Sequence, residues 1–317
     1  MTGVLVTGAS TPVGQALVES LMADPRVERV LAVAAEPRWQ GASSTKLTYL
    51  HADLSRSRHL RRLLFGPARD LSIGAVVHGA LHRHRVQGGQ RIHRLNVEST
   101  REMLHLCERH PTIRRFVFRS TAEVYRVRPE NAGLLGEEHP LELGPGMPQG
   151  VRDRVEADIT VCMRMGLTGL SIVVLRCAEI LAPGVGSQLF DYLNAEVCFR
   201  PLGFDPMLHV LSIEDAVEAM RLAVHADAQG VLNVPGADVL PLSRAIALTG
   251  RPTVPVPGPL LGPIYGLRAW VRGAQFRYGL NRWRLRFSGV LDGTRAAEVL
   301  GFEPSHPVAW DRLVGPR

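Results

Sequence analysis

The stretch that most constrains this chain runs from Val4 to Leu21. Val4-Leu5-Val6-Thr7 is a short apolar run, and Val13, Ala16, Leu17 and Leu21 then recur at helical spacing. Between the two patterns stands Gly8-Ala9-Ser10-Thr11-Pro12-Val13-Gly14. Small residues let a backbone turn tightly from strand into helix, and Pro12 suits a first helical turn, where its missing N–H costs nothing. Strand, small-residue turn and helix in that order bring backbone N–H groups and the positive end of a helix dipole to one spot, which suits a diphosphate.

Further apolar runs at 30–33, 47–50, 73–78, 115–118 and 171–175 predict strands, and 91–110 predicts a long helix. The runs are apolar throughout rather than alternating, the pattern of strands covered on both faces of a parallel sheet. Strands alternate with helices, so the fold class is α/β with a doubly wound parallel sheet. We divide the chain into 1–176, which holds the turn suited to a diphosphate, and 177–317, a smaller α/β lobe intertwined with the first. The stretch 126–150, rich in Gly, Pro and Glu, predicts loop. In the second part, 187–197 predicts a helix capped by Ser187, and 209–211 a strand leading to Ser212 as the next cap, with Asp215 three residues on. A strand follows at 230–234 and a Pro-rich link at 253–263.

Of the 317 residues, 45% are hydrophobic and 21% charged, a balance that suits a packed core and excludes a disordered chain. No apolar run is long enough to predict a membrane-spanning helix, and the start lacks a basic leader, so a cytoplasmic protein is expected. Cys107, Cys162, Cys177 and Cys198 have no zinc-type spacing and read as reduced thiols. His82-Arg83-His84 offers two imidazoles without a third ligand, which predicts an exposed basic loop and no metal site. The net charge of +7 is nearly all arginine and is spread along the chain, so nucleic acid is not an expected partner. One region stands apart: 239–291 has no acidic residue. Its second half, 264–287, mixes Arg268, Arg272, Arg277, Arg282, Arg284 and Arg286 with Tyr265, Trp270, Phe276 and Trp283. A helical lobe with a wet arginine face, a grip on a phosphate, and a weak contact with an anionic membrane surface all fit that composition.

The turn from Thr7 to Gly14 resembles the TGxxGxxG of extended short-chain dehydrogenases/reductases, the NAD-dependent epimerase/dehydratase family. Gly8 and Gly14 match the first and last glycines, and Thr11 stands at the middle one. Asp53-Leu54 resembles the acidic site after the third strand that meets the adenine, and Val76-Val77-His78-Gly79-Ala80 the strand end beside the cofactor. Asn96-Val97-Glu98-Ser99-Thr100 and Ser120-Thr121-Ala122-Glu123-Val124-Tyr125 resemble later family segments, as do Arg176 to Gly184, His209 to Asp215 and Leu291 to Phe302. The series spans about residues 3 to 305. The resemblance implies a Rossmann-type fold and an NAD(P) cofactor held by Gly8, Ser10, Thr11, Pro12, Val13, Gly14, Asp53, Leu54, Gly79, Ala80 and Asn96. It also implies that 1–176 binds the cofactor and 177–317 carries the contacts to a small-molecule substrate such as a nucleotide sugar, and that a homodimer forms through helices 91–110 and 151–165. NAD is favoured slightly by the family. Past the second strand, Glu36 suits the free ribose hydroxyls of NAD and Arg38 the phosphate of NADP.

The family's catalytic Tyr-x-x-x-Lys pair is absent. Its positions fall on Gly150 and Arg154. None of Tyr49, Tyr125, Tyr192, Tyr265 or Tyr278 has a lysine four residues on, and Lys46 is the single lysine. Thr121 stands where a Ser or Thr orients the substrate, and Arg154 in place of Lys can hold ribose hydroxyls. Tyr125, Glu123, His82 and His84 are the substitutes for the proton donor. Three readings result: an epimerase, dehydratase or reductase with a non-standard acid/base; a catalytically inactive NAD(P)-binding sensor or scaffold; and a surface-associated protein that uses 264–287, with the Rossmann fold as its platform.

Overall fold

The computed structural model describes residues 2–82, 88–131 and 133–313; Arg83 and His84 lie outside the described residues. Seven parallel strands form one sheet, in the order Gly230–Val234, Ser171–Cys177, Arg115–Thr121, Ile73–His78, Thr2–Thr7, Val27–Ala34, Leu47–His51. The central strand shows why its sequence is apolar throughout. Val4 and Val6 enter a layer with Leu17, Leu21 and Val30, while Leu5 enters the opposite layer with Leu31, Val76 and Met103. Each such side chain contributes about 1.5–3 kcal/mol when withdrawn from water, so a polar residue on either face is costly.

Winding starts at the centre, runs outward through Val27–Ala34 and Leu47–His51, then crosses back to Ile73–His78 on the other side of Thr2–Thr7. That reversal opens a crevice at the carboxyl ends of the two adjacent strands, the place where α/β sheets bind ligands. The helix expected over 91–110 is three joined segments: Gln90–His93, a π-helical stretch Arg94–Glu98, and Ser99–Glu108. The π stretch carries Asn96, whose side chain points back to the loop after Ile73–His78.

The later half of the chain supplies the last strand of the main sheet and the helix Ile213–His225, which packs beside the first helix, Pro12–Ala23. It also builds a lobe with its own core of Leu189, Tyr192, Leu261, Tyr265 and Phe276. The lobe holds a three-stranded sheet (Asp238–Pro241, Met207–Leu211, Glu179–Ile180) and a two-stranded one (Thr253–Val256 with Cys198–Pro201). Ser187 and Ser212 cap their helices as expected, accepting from Phe190 and Asp215 N–H.

One expectation for this lobe is corrected. The Pro-rich link at 253–263 is the strand Thr253–Val256 followed by the helix Gly258–Arg272. Pro259 lies in that helix's first turn at no cost; Pro263 removes one ladder bond, and burial of Leu261 and Tyr265 outweighs the loss. The stretch 264–287 spans two helices. Gly273, at φ +63°, ends the first, and a short helix, Tyr278–Asn281, follows. Among the described residues no helix is long and apolar enough to cross a membrane.

Candidate active site

Gly8 leaves the central strand at φ +73°, and a Cβ there would sit 2.9 Å from the Gly79 carbonyl oxygen. A Cβ on Gly14 would come within 2.2 Å of the Gly8 carbonyl. Both positions therefore require glycine. Thr11 does not: its backbone is extended, its hydroxyl donates to Gly8 O at 2.8 Å, and it accepts from Gly14 N–H at 3.0 Å. The side chain that replaces the family's middle glycine is folded into the turn as a helix cap.

This turn borders a cavity of about 720 Å³ whose walls include Ser10, Glu36, Asp53, Leu54 and Ala80. Arg38 is exposed and outside that lining, whereas Glu36 is half-buried within it. Burial acts to raise the Asp53 carboxyl, but hydrogen bonds from Ser55 and the charges of Arg91 and Arg56 bring it below the usual carboxylate range. Asn96 is buried and accepts from the His82 N–H at 2.8 Å, fixing the loop that forms one wall.

Behind the wall lies a relay that sequence reasoning missed. The Thr7 hydroxyl accepts from the N–H groups of Gly79 (3.2 Å) and Ala80 (3.3 Å), leaving its proton for His78 Nδ1 at 2.8 Å. His78 Nε2–H then donates to the Thr100 hydroxyl (3.0 Å), which donates to Asn96 O (2.7 Å). Full burial pushes His78 down to about 4, and the charge of Arg119 adds to the fall, so the ring is neutral. The relay locks both strand ends of the crevice to the helix opposite.

The strand Arg115–Thr121 ends at the next part of the site. Thr121 caps the short turn Ala122–Val124, its hydroxyl accepting from Glu123 N–H at 3.3 Å. Gly150 and Arg154 sit on the helix Gln149–Cys162. Arg154 donates to His82 O at 2.9 Å and lies 4.0 Å from the carboxylate of Glu123, with side chains 14% and 6% exposed. Burial pushes the Arg154 guanidinium down to about 10, with Glu179 opposing, and it stays charged at neutral pH. Thr121, Arg154 and His82 line one cavity, and Arg154 and Glu123 line the next.

The model of the NAD dependent epimerase/dehydratase family matches residues 4–234. The chain belongs to that family. An uncharacterized protein of Mycobacterium tuberculosis (strain ATCC 25618 / H37Rv), Rv0501, is 29% identical over 312 residues, covering 95% of this chain and 80% of that one. MoeE5, solved with UDP-glucuronic acid and NAD, has a TM-score of 0.69 at 22% identity over 98% of this chain and 96% of that chain. DesIV, the dTDP-glucose 4,6-dehydratase of Streptomyces venezuelae solved with NAD and TYD, has a TM-score of 0.69 at 20% identity, covering 97% and 94%. These structural likenesses establish the fold.

Within this epimerase/dehydratase fold the tyrosine of the resemblance has no counterpart, and Tyr125 sits elsewhere. It is 1% exposed; its hydroxyl donates to Asn233 Oδ1 at 2.7 Å and accepts from Arg176 at 3.2 Å. Burial pushes its phenol up to about 12, with Arg176 opposing. A phenol so held is a poor proton source at neutral pH. Arg176 also forks onto Asp158, Nη2 to Oδ1 at 2.6 Å and Nε to Oδ2 at 3.1 Å, and Ser120 donates to the same carboxylate. This buried pair ties the strand Ser171–Cys177, the helix Gln149–Cys162 and the Thr121 loop together. Arg176 is legible in sequence only as a marker position, and Asp158 only as a helix residue four after Arg154.

Beyond Arg154 opens a cavity of about 740 Å³ rimmed by Arg128, Arg277, Arg282, Trp283 and Arg284. Arg128 forks onto Glu142 at 2.8 and 3.1 Å and lies over the Trp283 ring at 5.3 Å, with Arg282 over the same ring at 5.0 Å. Arg284 reaches the carbonyls of Ala122 and Tyr125, both at 3.4 Å, beneath the Thr121 loop. The second half of 264–287 thus lines a cavity, and nothing in its composition distinguished that from a solvated face.

Proposed function

We propose that the chain holds NAD from the Gly8–Gly14 turn to Arg154 and acts on a nucleotide sugar in the arginine-rimmed cavity beyond. Continuity carries this reading: Thr11 and His82 line both the first cavity and the junction, and Arg154 lines both the junction and the cavity beyond. The glycine contacts at Gly8 and Gly14 leave room for a diphosphate against the start of Pro12–Ala23, lined by Ser10, Thr11, Pro12 and Val13. Asp53 and Leu54 face the adenine end, and Gly79, Ala80 and Asn96 shape the wall. Glu36 at the cavity with Arg38 outside it favours NAD over NADP. NAD held there would supply a hydride acceptor and donor. Arg154 holds ribose hydroxyls in place of the family's lysine. Thr121 orients the reacting oxygen, and Glu123 takes the proton from it and returns it. Arg277 and Arg282 meet the substrate's phosphates. MoeE5 and the Bacillus cereus UDP-glucuronic acid 4-epimerase, solved with nucleotide sugars and NAD, support the substrate class. A homodimer through the helices 90–108 and 149–162 extends the proposal; the exposed Arg101 and Glu156 lie on that face.

The second reading, an NAD-binding sensor without turnover, is favoured by Gly150 at the tyrosine position and by the committed hydroxyl of Tyr125. Incubation with NAD and a panel of UDP- and dTDP-sugars, with products separated by chromatography, tests the pair. The first reading expects turnover that Glu123→Gln lowers by about a hundredfold or more while NAD still binds. Tight NAD binding without any product supports the sensor, and no NAD binding overturns both.

A further inference from the structure

The helix Gly258–Arg272 is apolar on both sides. Leu261 and Tyr265 face the lobe core. On the outward side Leu260, Leu267, Trp270 and Val271 are 54, 60, 84 and 63% exposed. Pro259, Gly262, Pro263 and Gly266 between them are exposed as well. Positions 260, 264, 267 and 271 make one stripe at helical spacing, and the helix's charged residues, Arg268 and Arg272, come only near its end. Contrast Gln149–Cys162, whose exposed positions include Arg152 and Glu156. A helix apolar all round belongs in a core or a bilayer, and half of this one is open.

Charge selects the occupant. From 239 to 291 there are eight arginines and no aspartate or glutamate. Beside the stripe, Arg272 is 57% exposed and pairs with Glu196, while Arg268 donates to Val197 O at 2.8 Å. Arg244 is exposed on the same lobe. A second apolar helix would match the stripe but not the run of eight arginines without an acid between 239 and 291. An anionic bilayer matches both: leucines enter the acyl boundary, the Trp ring lies at headgroup level, and guanidiniums meet lipid phosphates. We propose that Gly258–Arg272 is an interfacial helix that seats this protein on an anionic lipid surface through Leu260, Leu267, Trp270 and Val271. Gly262 and Gly266 of the same helix line the arginine-rimmed cavity, so that cavity then lies beside the lipid surface. The proposal does not depend on turnover.

The test is co-sedimentation of the full chain with phosphatidylcholine vesicles, with and without phosphatidylglycerol. Binding is expected with the anionic vesicles, weakening as salt rises, and falling about tenfold or more in Leu267→Ser/Trp270→Ser. The double variant should melt at the same temperature, because neither side chain is packed. In Trp270→Phe binding should persist while the blue shift of tryptophan emission on adding vesicles is lost. Wild-type protein that ignores anionic vesicles overturns the proposal, and so does a double variant that binds them equally well. A wild-type dimer that the double variant turns into a monomer, with no vesicle binding by either, assigns the stripe to a second copy and also overturns it.

Discussion

The two ends of the cleft are made of different material. The end proposed for the cofactor is backbone and small side chains, set by hard contacts: a Cβ at Gly14 would stand 2.2 Å from a carbonyl oxygen. The end proposed for the substrate is long side chains, with Arg128 and Arg282 stacked over Trp283 and Arg284 threaded under a loop. A backbone turn admits few residues, whereas a rim of arginines can be assembled in many ways. Steric rules therefore write the first end into local sequence, and the second depends on contacts between segments far apart in the chain.

The largest effect is expected where the two ends join. Arg176→Met removes one partner of the buried Asp158 pair and leaves the carboxylate, 0% exposed, without its fork. Denaturant unfolding should show a loss of about 3–5 kcal/mol. A loss below about 1 kcal/mol would mean that the two ends are held together by packing alone.

Next in size is a pH effect confined to the first end. Burial holds His78 near 4 in the folded protein, against an ordinary 6.5 in the unfolded chain. Between those values the unfolded chain binds the extra proton, so stability is fully present above pH 6.5 and is lost as pH falls toward 4. The shift corresponds to about 3 kcal/mol. Urea unfolding of wild type and His78→Gln across that range should show the slope difference, wild type being the steeper. Parallel slopes would remove the Thr7–His78–Thr100 relay from the account of what holds this end.

Legibility followed the same divide. Gly8 and Gly14 were readable because only glycine satisfies their contacts, and the strands because two-sided burial demands unbroken apolar runs. Thr11 was readable as a departure from the family pattern, though its capping role needed coordinates. His78 looked like a strand-end residue, since nothing local announces partners at Thr7 and Thr100. The helix Gly258–Arg272 was hidden by Pro257, Pro259 and Pro263, local stop signals that the burial of Leu261 and Tyr265 overrides. The arginines from 277 to 286 looked alike in sequence; only the turn at Gly273 sends them to the cavity.

Two smaller predictions bear on the division directly. Gly14→Ala places a methyl against the Gly8 carbonyl and should weaken NAD binding by about a hundredfold or more, about 2.7 kcal/mol, in calorimetric titration. Arg154→Ala should weaken it by only about tenfold, because the guanidinium adds hydrogen bonds to a site the turn has already shaped. Arg154→Lys then sharpens the comparison. The shorter lysine side chain loses the bond to His82 O, now 2.9 Å, yet its ammonium still offers donors toward a ribose. Its NAD affinity should fall between those of wild type and Arg154→Ala. If Lys and Ala lose affinity equally, Arg154 acts by holding the His82 loop rather than by meeting the cofactor. If neither loses any, the cofactor end stops short of this helix, and Arg154 belongs with the arginines of the cavity beyond.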